Sequence, residues 1–186
     1  LQLSLWGNRN RVVKYPIPTV LYGDAGRFAQ GDFQGYPANG YWSRPLISFA
    51  DDNGDGIIAP NEVVTATSSA WAGQPYPTQG AALVSSWRLV RQLRVSGVLD
   101  YRAGQTLFNE TSNTRCQVAR CRERIDRATP LVAQANAIAA PQLPLSYFED
   151  ADYLKLRELT FAFDLPPGVL SALRARGATI AVGGRN

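Results

Sequence analysis

A chain of 186 residues with 45% apolar residues has enough material for one domain with a sizeable core, and nothing in its bulk composition predicts disorder. The formal charge of +4 is spread along the chain, 17 of the 19 basic residues being arginine, which gives no reason to expect a nucleic-acid partner. No histidine is present, so neither a Ser-His-Asp nor a Cys-His arrangement can be built, and enzyme chemistry would have to rest on carboxylates alone. At 18% charged residues it lies below the roughly 25% of a typical soluble domain, which suits a chain with part of its surface out of water. The longest apolar runs fall far short of the ~20 residues of a membrane helix, but a membrane strand needs no such run. Methionine is absent, position 1 included, so the sequence is expected to be an internal or processed piece.

Leu1, Leu3 and Leu5 alternate with Gln2 and Ser4, as in the end of a strand that runs into the polar turn 7–11. Residues 12–50 mix Pro16, Pro18, Pro37 and Pro45 with glycines and aromatics and read as a long ordered loop, and 63–78 are again irregular. The clearest periodicity lies at 93–101, where Leu93, Val95, Gly97, Leu99 and Tyr101 alternate with Arg94, Ser96, Val98, Asp100 and Arg102. A strand of about nine to eleven residues crosses a bilayer when tilted. Residues 81–90 supply an antiparallel partner across a short turn near Arg91 and Gln92. Residues 109–146 lack alternation; helix formers occupy 116–127 and 130–140, and Pro141 and Pro144 end the second stretch. A strand over 152–164, a short helix opened by Pro166 and Pro167 and closed at Gly177, and a last strand over 178–185 follow.

A half-polar antiparallel sheet fits one wall of a soluble sandwich as well as a membrane wall, and periodicity alone leaves both open. The order of landmarks adds information. These are Gly35-Tyr36-Pro37 with Tyr41-Trp42-Ser43-Arg44-Pro45, the acidic stretch from Asp51 to Ile58, Gly73-Gln74-Pro75-Tyr76-Pro77, the run from Phe148 to Leu159, and Ala181 to Asn186. Together they resemble the C-terminal barrel region of SusC/RagA-type TonB-dependent outer-membrane receptors. The most telling element is the strand Glu149-Asp150-Ala151-Asp152-Tyr153-Leu154-Lys155-Leu156-Arg157-Glu158-Leu159-Thr160, followed by proline and a short helix.

The resemblance implies a mainly β fold, a partial antiparallel transmembrane β-barrel wall of five or six strands with long loops and short helices. Residues 1–186 would be a fragment of the C-terminal barrel domain, carrying an embedded EF-hand-like loop at 51–62 and a long cysteine-containing loop at 109–146. Barrels of about 22 strands hold a plugged lumen, so this piece could not close one alone, and the plug and TonB-contacting segment are expected elsewhere. The implied function is TonB-energised import of large nutrients such as oligosaccharides or peptides through the outer membrane, which is transport and not bond chemistry, so the chain is expected not to be an enzyme and no catalytic residues are assigned. The implied partners are the TonB complex, a surface lipoprotein lid and the lipid bilayer. Apolar faces then turn to lipid, and Arg94, Asp100, Arg102, Glu158 and Thr160 turn into a polar lumen. Lys155 and Arg157 share parity with Leu159, Phe161 and Phe163, so these cations are expected either beyond the hydrocarbon band or behind a bulge between Arg157 and Leu159. The alternative is a secreted calcium-binding β-domain, of the carbohydrate-binding type, with the same apolar faces packed inward.

Asp51, Asn53, Asp55, Gly56, Ile57 and Glu62 fall at the first, third, fifth, sixth, seventh and twelfth places of a calcium loop. Ca²⁺ takes roughly six to eight oxygens, and this spacing wraps side-chain oxygens and the Ile57 carbonyl around one point. The flanks lack the two helices of an EF-hand, so the readings are a Ca²⁺ site in a receptor loop or a glycine-rich turn with no ion. Cys116 and Cys121 are too few for a zinc site without histidine; a disulfide stapling a surface loop fits an exported chain, reduced thiols a cytosolic one. Arg115, Arg120, Arg122, Arg124 and Arg127 around them form either a solvated face or a contact for lipopolysaccharide phosphates. The loop aromatics Tyr15, Tyr22, Phe28, Phe33, Tyr36, Tyr41, Trp42, Trp71 and Tyr76 fit loop packing and interfacial girdles, with sugar stacking as the sharper reading.

Overall fold

The computed structural model describes residues 1–14, 16, 19–21 and 30–186; of the loop aromatics, Tyr15, Tyr22 and Phe28 lie outside them. In chain order the strands are β1 (Gln2–Gly7), β2 (Thr19–Leu21), β3 (Gln30–Phe33), β4 (Gly40–Ser43), β5 (Leu46–Phe49), β6 (Val63–Thr65) and β7 (Ala70–Gly73). There follow β8 (Gln79–Arg88), β9 (Leu93–Ala103), β10 (Thr106–Phe108), β11 (Phe148–Asp150), β12 (Tyr153–Asp164) and β13 (Thr179–Arg185). The helices are α1 (Glu110–Gln117), α2 (Leu131–Ile138) and α3 (Pro167–Ala172). No helix among the described residues is long and apolar enough to cross a membrane. The fold is mainly β with antiparallel sheets, short helices and no closed barrel.

The chain divides into two units. The first comprises Leu1–Asn8, Pro77–Ala103 and Asp152–Asn186 and is one five-stranded antiparallel sheet in the order β1-β8-β9-β12-β13. Because paired residues share a face, the register assigns every side chain to one side or the other. Leu3 lies opposite Leu83, Leu83 opposite Leu99, Trp87 opposite Val95, Val95 opposite Phe161, and Phe161 opposite Val182. One face therefore carries Leu3, Leu5, Leu83, Trp87, Leu93, Val95, Leu99, Leu154, Leu156, Leu159, Phe161, Phe163, Ile180 and Val182 in a single apolar belt across all five strands.

None of that belt is buried: Leu5 is 73% exposed, Leu154 68%, Phe161 47% and Val182 69%. A sandwich needs such residues to meet one another across a second sheet. Here the inward-packed alternative lacks its core, for Ala103 is the sole buried apolar residue of this unit.

The belt stays apolar along β12 because of one irregularity. The pairing of β12 with β9 shifts between Leu156 and Glu158, so Arg157 is an extra, bulged residue. The shift falls one residue earlier than the sequence spacing suggests and brings Leu154 and Leu156 onto the face of Leu159, with Lys155 opposite Asp100 on the other side.

The second unit spans Arg9–Tyr76 and Gly104–Ala151. The region read as one long loop contains short strands: β2-β3-β4-β7 form a four-stranded sheet, and β5 pairs with β6. Aromatic packing holds it, with Phe33 stacked on Trp42 at 3.6 Å between ring centres, and Tyr36 and Trp71 within 5.5 Å of the same indole. The Trp42 ring nitrogen donates to the Gly31 carbonyl at 3.2 Å. Gly40 is required here, since a Cβ would come within 2.1 Å of the Trp71 ring. The 109–146 excursion is bracketed by the β10–β11 pair.

Candidate functional site

Arg94, Asp100, Arg102, Glu158 and Thr160 lie together on the face of the five-stranded sheet opposite the apolar belt: Asp100 opposes Lys155, Thr160 opposes Ser96, and Glu158 opposes Val98 and Arg185. Their charges are paired within that face. Arg157 donates to Asp100 through Nε at 3.0 Å and Nη2 at 2.8 Å, and Arg102 approaches the other Asp100 oxygen at 3.5 Å. Arg185 reaches Glu158 at 2.9 Å, Arg94 reaches Asp164 at 3.7 Å, and the Thr160 hydroxyl donates to Glu158 at 3.3 Å. Arg157, one of the two cations out of place in the sequence, is the bulged residue, and Asp100 on the neighbouring strand is its partner.

The acidic loop 51–62 sits between β5 and β6, at the end of a strand pair rather than between helices. Its backbone N–H groups bind its own side chains. Asp51 accepts from Asp55 at 3.1 Å and from Gly56 at 2.9 Å; Asn53 accepts from Asp55 at 2.8 Å; Asp55 accepts from Ile57 at 2.7 Å. Glu62, 5% exposed, closes the loop by accepting from Asp52, Asn53 and Ala59. Gly56 has φ of +79°, a backbone state that a side chain would strain.

Asp51, Asn53, Asp55, Ile57 and Glu62 thus offer the all-oxygen donor set a hard cation requires, each carboxylate oxygen keeping a lone pair beyond its N–H contact. Their carboxylates are not gathered to within 4.8 Å of one another; the described group that meets that spacing is Cys116, Cys121 and Glu123, whose two sulfurs are bonded to each other.

A residue that sequence reasoning missed anchors this loop. Gln134 on α2, 1% exposed, accepts from the Ile58 N–H at 2.9 Å and donates to the carbonyls of Gly56 at 3.1 Å and Thr129 at 2.9 Å. Its one available signal was a glutamine inside a largely apolar helix.

Cys116 and Cys121 form a disulfide with Cα atoms 4.9 Å apart, at the end of α1. This helix starts earlier than its helix formers suggest, because the Asn109 side chain caps it by accepting from Ser112 at 3.0 Å. It stops at Gln117, and Ala119 turns back with φ of +56°. The expected helix over 116–127 is therefore replaced by a helix end, the disulfide and a short 3-10 turn at Arg122–Arg124. Of the surrounding arginines, Arg122 pairs with Asp126 at 2.5 Å and Arg124 donates to the Cys116 carbonyl at 3.0 Å. The Ala128 N–H and then Arg122 hold the Asp126 carboxyl below the usual range.

Tyr36, Trp42 and Trp71 are engaged with one another in the aromatic cluster, while Tyr76 is 53% exposed.

No family model and no curated protein matches the sequence. Among solved structures, the fold is similar to chains of the RagAB peptide importer in its closed-closed state (TM-score 0.62), of the same importer in its open-open state (0.61), and of the RagAB peptide transporter (0.61). Each is 18% identical and covers 99% of this chain. This chain spans 22–23% of the length of those chains. At that identity the likeness defines the fold.

Proposed function

We propose that this chain is part of the β-barrel wall of an outer-membrane, TonB-energised importer of large nutrients such as oligosaccharides or peptides. The observation that carries the reading is the five-stranded sheet with an uncovered apolar belt on one face and internally paired charges on the other. Sequence landmarks resembling SusC/RagA-type receptors and the fold likeness to RagAB importer chains support it from two directions. In this reading the belt meets the lipid bilayer, and Arg94, Asp100, Arg102, Glu158 and Thr160 line the lumen. A surface lipoprotein closes over the receptor, and the TonB complex supplies the energy. The test is uptake of labelled oligosaccharides and oligopeptides by cells with and without the protein. Uptake that needs both the protein and the proton-motive force is expected; uptake unaffected by its deletion would refute the assignment.

The loop 51–62 holds Ca²⁺ in this reading, through Asp51, Asn53, Asp55, the Ile57 carbonyl and Glu62. The cation would draw together carboxylates that otherwise accept from the loop's own N–H groups. Calcium titration should give saturable binding that Glu62→Gln weakens; no binding below millimolar ion would remove the site. The arginines of the disulfide loop contact lipopolysaccharide phosphates, Arg120 and Arg127 forming no ion pair with any described residue. Substituting both without loss of lipopolysaccharide association would overturn that contact.

A further inference from the structure

Three polar groups of the second unit face one cavity, and none of them is ion-paired to any described residue. The cavity measures about 310 Å³ and lies among α1, the disulfide, α2 and the 3-10 turn at Leu145–Tyr147. Its lining includes Arg115, Glu123, Val132, Asn136, Tyr147 and the Cys116–Cys121 disulfide. Tyr147 is 8% exposed, yet its phenol makes no hydrogen bond to any described residue. Arg115 and Glu123 form no ion pair with any described residue, and the Glu123 carboxylate lies 3.9 Å from the Cys116 sulfur. Cation and carboxylate therefore share the cavity wall without neutralising each other.

We propose that this cavity binds a small zwitterion of amino-acid size with an apolar side group. The ligand carboxylate pairs with Arg115 and accepts from the Tyr147 hydroxyl, its ammonium donates to Glu123 and the Asn136 side-chain carbonyl, and its side group packs on Val132 and the disulfide. Charge decides among ligand classes. A neutral sugar would cover both charges without compensating either, and a simple anion would place negative charge beside Glu123. The volume sits at the lower end of the range of about 300–1,000 Å³ for small-molecule pockets, which limits the occupant to a single residue-sized molecule.

The inference is independent of the import reading. Saturation-transfer NMR on the full protein, with L-leucine, N-acetyl-L-leucine amide and glucose as probes, tests it. Leucine should show saturable transfer, and the blocked derivative and glucose should bind at least about tenfold more weakly. Arg115→Gln should weaken leucine binding by about tenfold, and Tyr147→Phe, which keeps the ring packing, by about three- to tenfold. Absence of saturable leucine transfer, equal binding of the blocked derivative or of glucose, or unchanged binding in Arg115→Gln would overturn the proposal. Because Arg115 is exposed, that variant remains decisive even if Tyr147→Phe is destabilised.

Discussion

Arg157 leaves the regular pleat of β12 and donates two hydrogen bonds to Asp100 on β9, at 3.0 and 2.8 Å, while its Nη2 also reaches the Tyr153 hydroxyl at 3.1 Å. One bulged residue thus settles two demands. Its cation finds a partner, and the leucines on either side of it stay on the apolar face.

The pair should be coupled energetically. A double-mutant cycle of Asp100→Asn and Arg157→Gln, measured by urea unfolding from lipid vesicles, is expected to give a favourable interaction beyond the sum of the single effects, as close charge-assisted hydrogen bonds do. Additive single effects would show that the bulge is set by something other than this pair.

Adjacent residues of β12 should respond oppositely to charge. Leu159 lies on the apolar face opposite Gly97, near the centre of β9, and Thr160 lies on the polar face opposite Ser96. In a bilayer, Leu159→Arg is expected to cost about 2–4 kcal/mol, whereas Thr160→Arg should cost less than about 1 kcal/mol. Comparable costs at the two positions, in the same unfolding assay, would mean that the faces do not differ in solvent.

This alternation was the most legible part of the chain. Leu93 to Tyr101 announce their faces because strand periodicity is local; the clash of Lys155 and Arg157 with it left either a place beyond the hydrocarbon band or a bulge, and the pairing shows the bulge. The short strands between residues 19 and 73 were not legible. Each is only three or four residues long, too short for a period, and is fixed by partners distant in sequence and by packing around Trp42. The spacing of Asp51, Asn53, Asp55 and Glu62 was readable because these residues lie within twelve positions of one another. Its anchor was not, since Gln134 is 76 residues from Ile58 and no local pattern links them.

Gln134 should control the stability of the acidic loop. Gln134→Ala leaves the Ile58 N–H and the Gly56 carbonyl without their buried partner, at an expected cost of about 2–4 kcal/mol. Hydrogen exchange of the Ile58 amide should accelerate strongly in the variant while amides of β9 keep their protection. Unchanged exchange at Ile58 would show that the contact is dispensable.

Tyr147 sets an alkaline limit for the second unit. Burial, followed by the nearby Glu123 carboxylate, pushes its hydroxyl up to about 12 from the ordinary 10.0. A raised value means that the fold favours the neutral phenol, so this contribution is complete below the ordinary value and is lost as pH climbs from 10.0 towards about 12. Alkaline unfolding followed by circular dichroism, with tyrosinate absorbance in parallel, should show stability falling in that window, and Tyr147→Phe should remove that part of the pH dependence. An identical pH profile in the variant would place the alkaline sensitivity elsewhere.

The central claim, that the five-stranded sheet is a membrane wall, is tested most directly by where its two faces meet lipid. Spin labels attached through cysteine at Phe161 and Val182, and separately at Ser96 and Thr160, in the protein reconstituted into bilayers, report accessibility to oxygen and to a water-soluble nickel chelate. The account predicts high oxygen and low nickel accessibility at Phe161 and Val182, and the loss of that lipid signature at Ser96 and Thr160. Nickel-accessible labels at Phe161 and Val182, or the same accessibility on both faces, would contradict it.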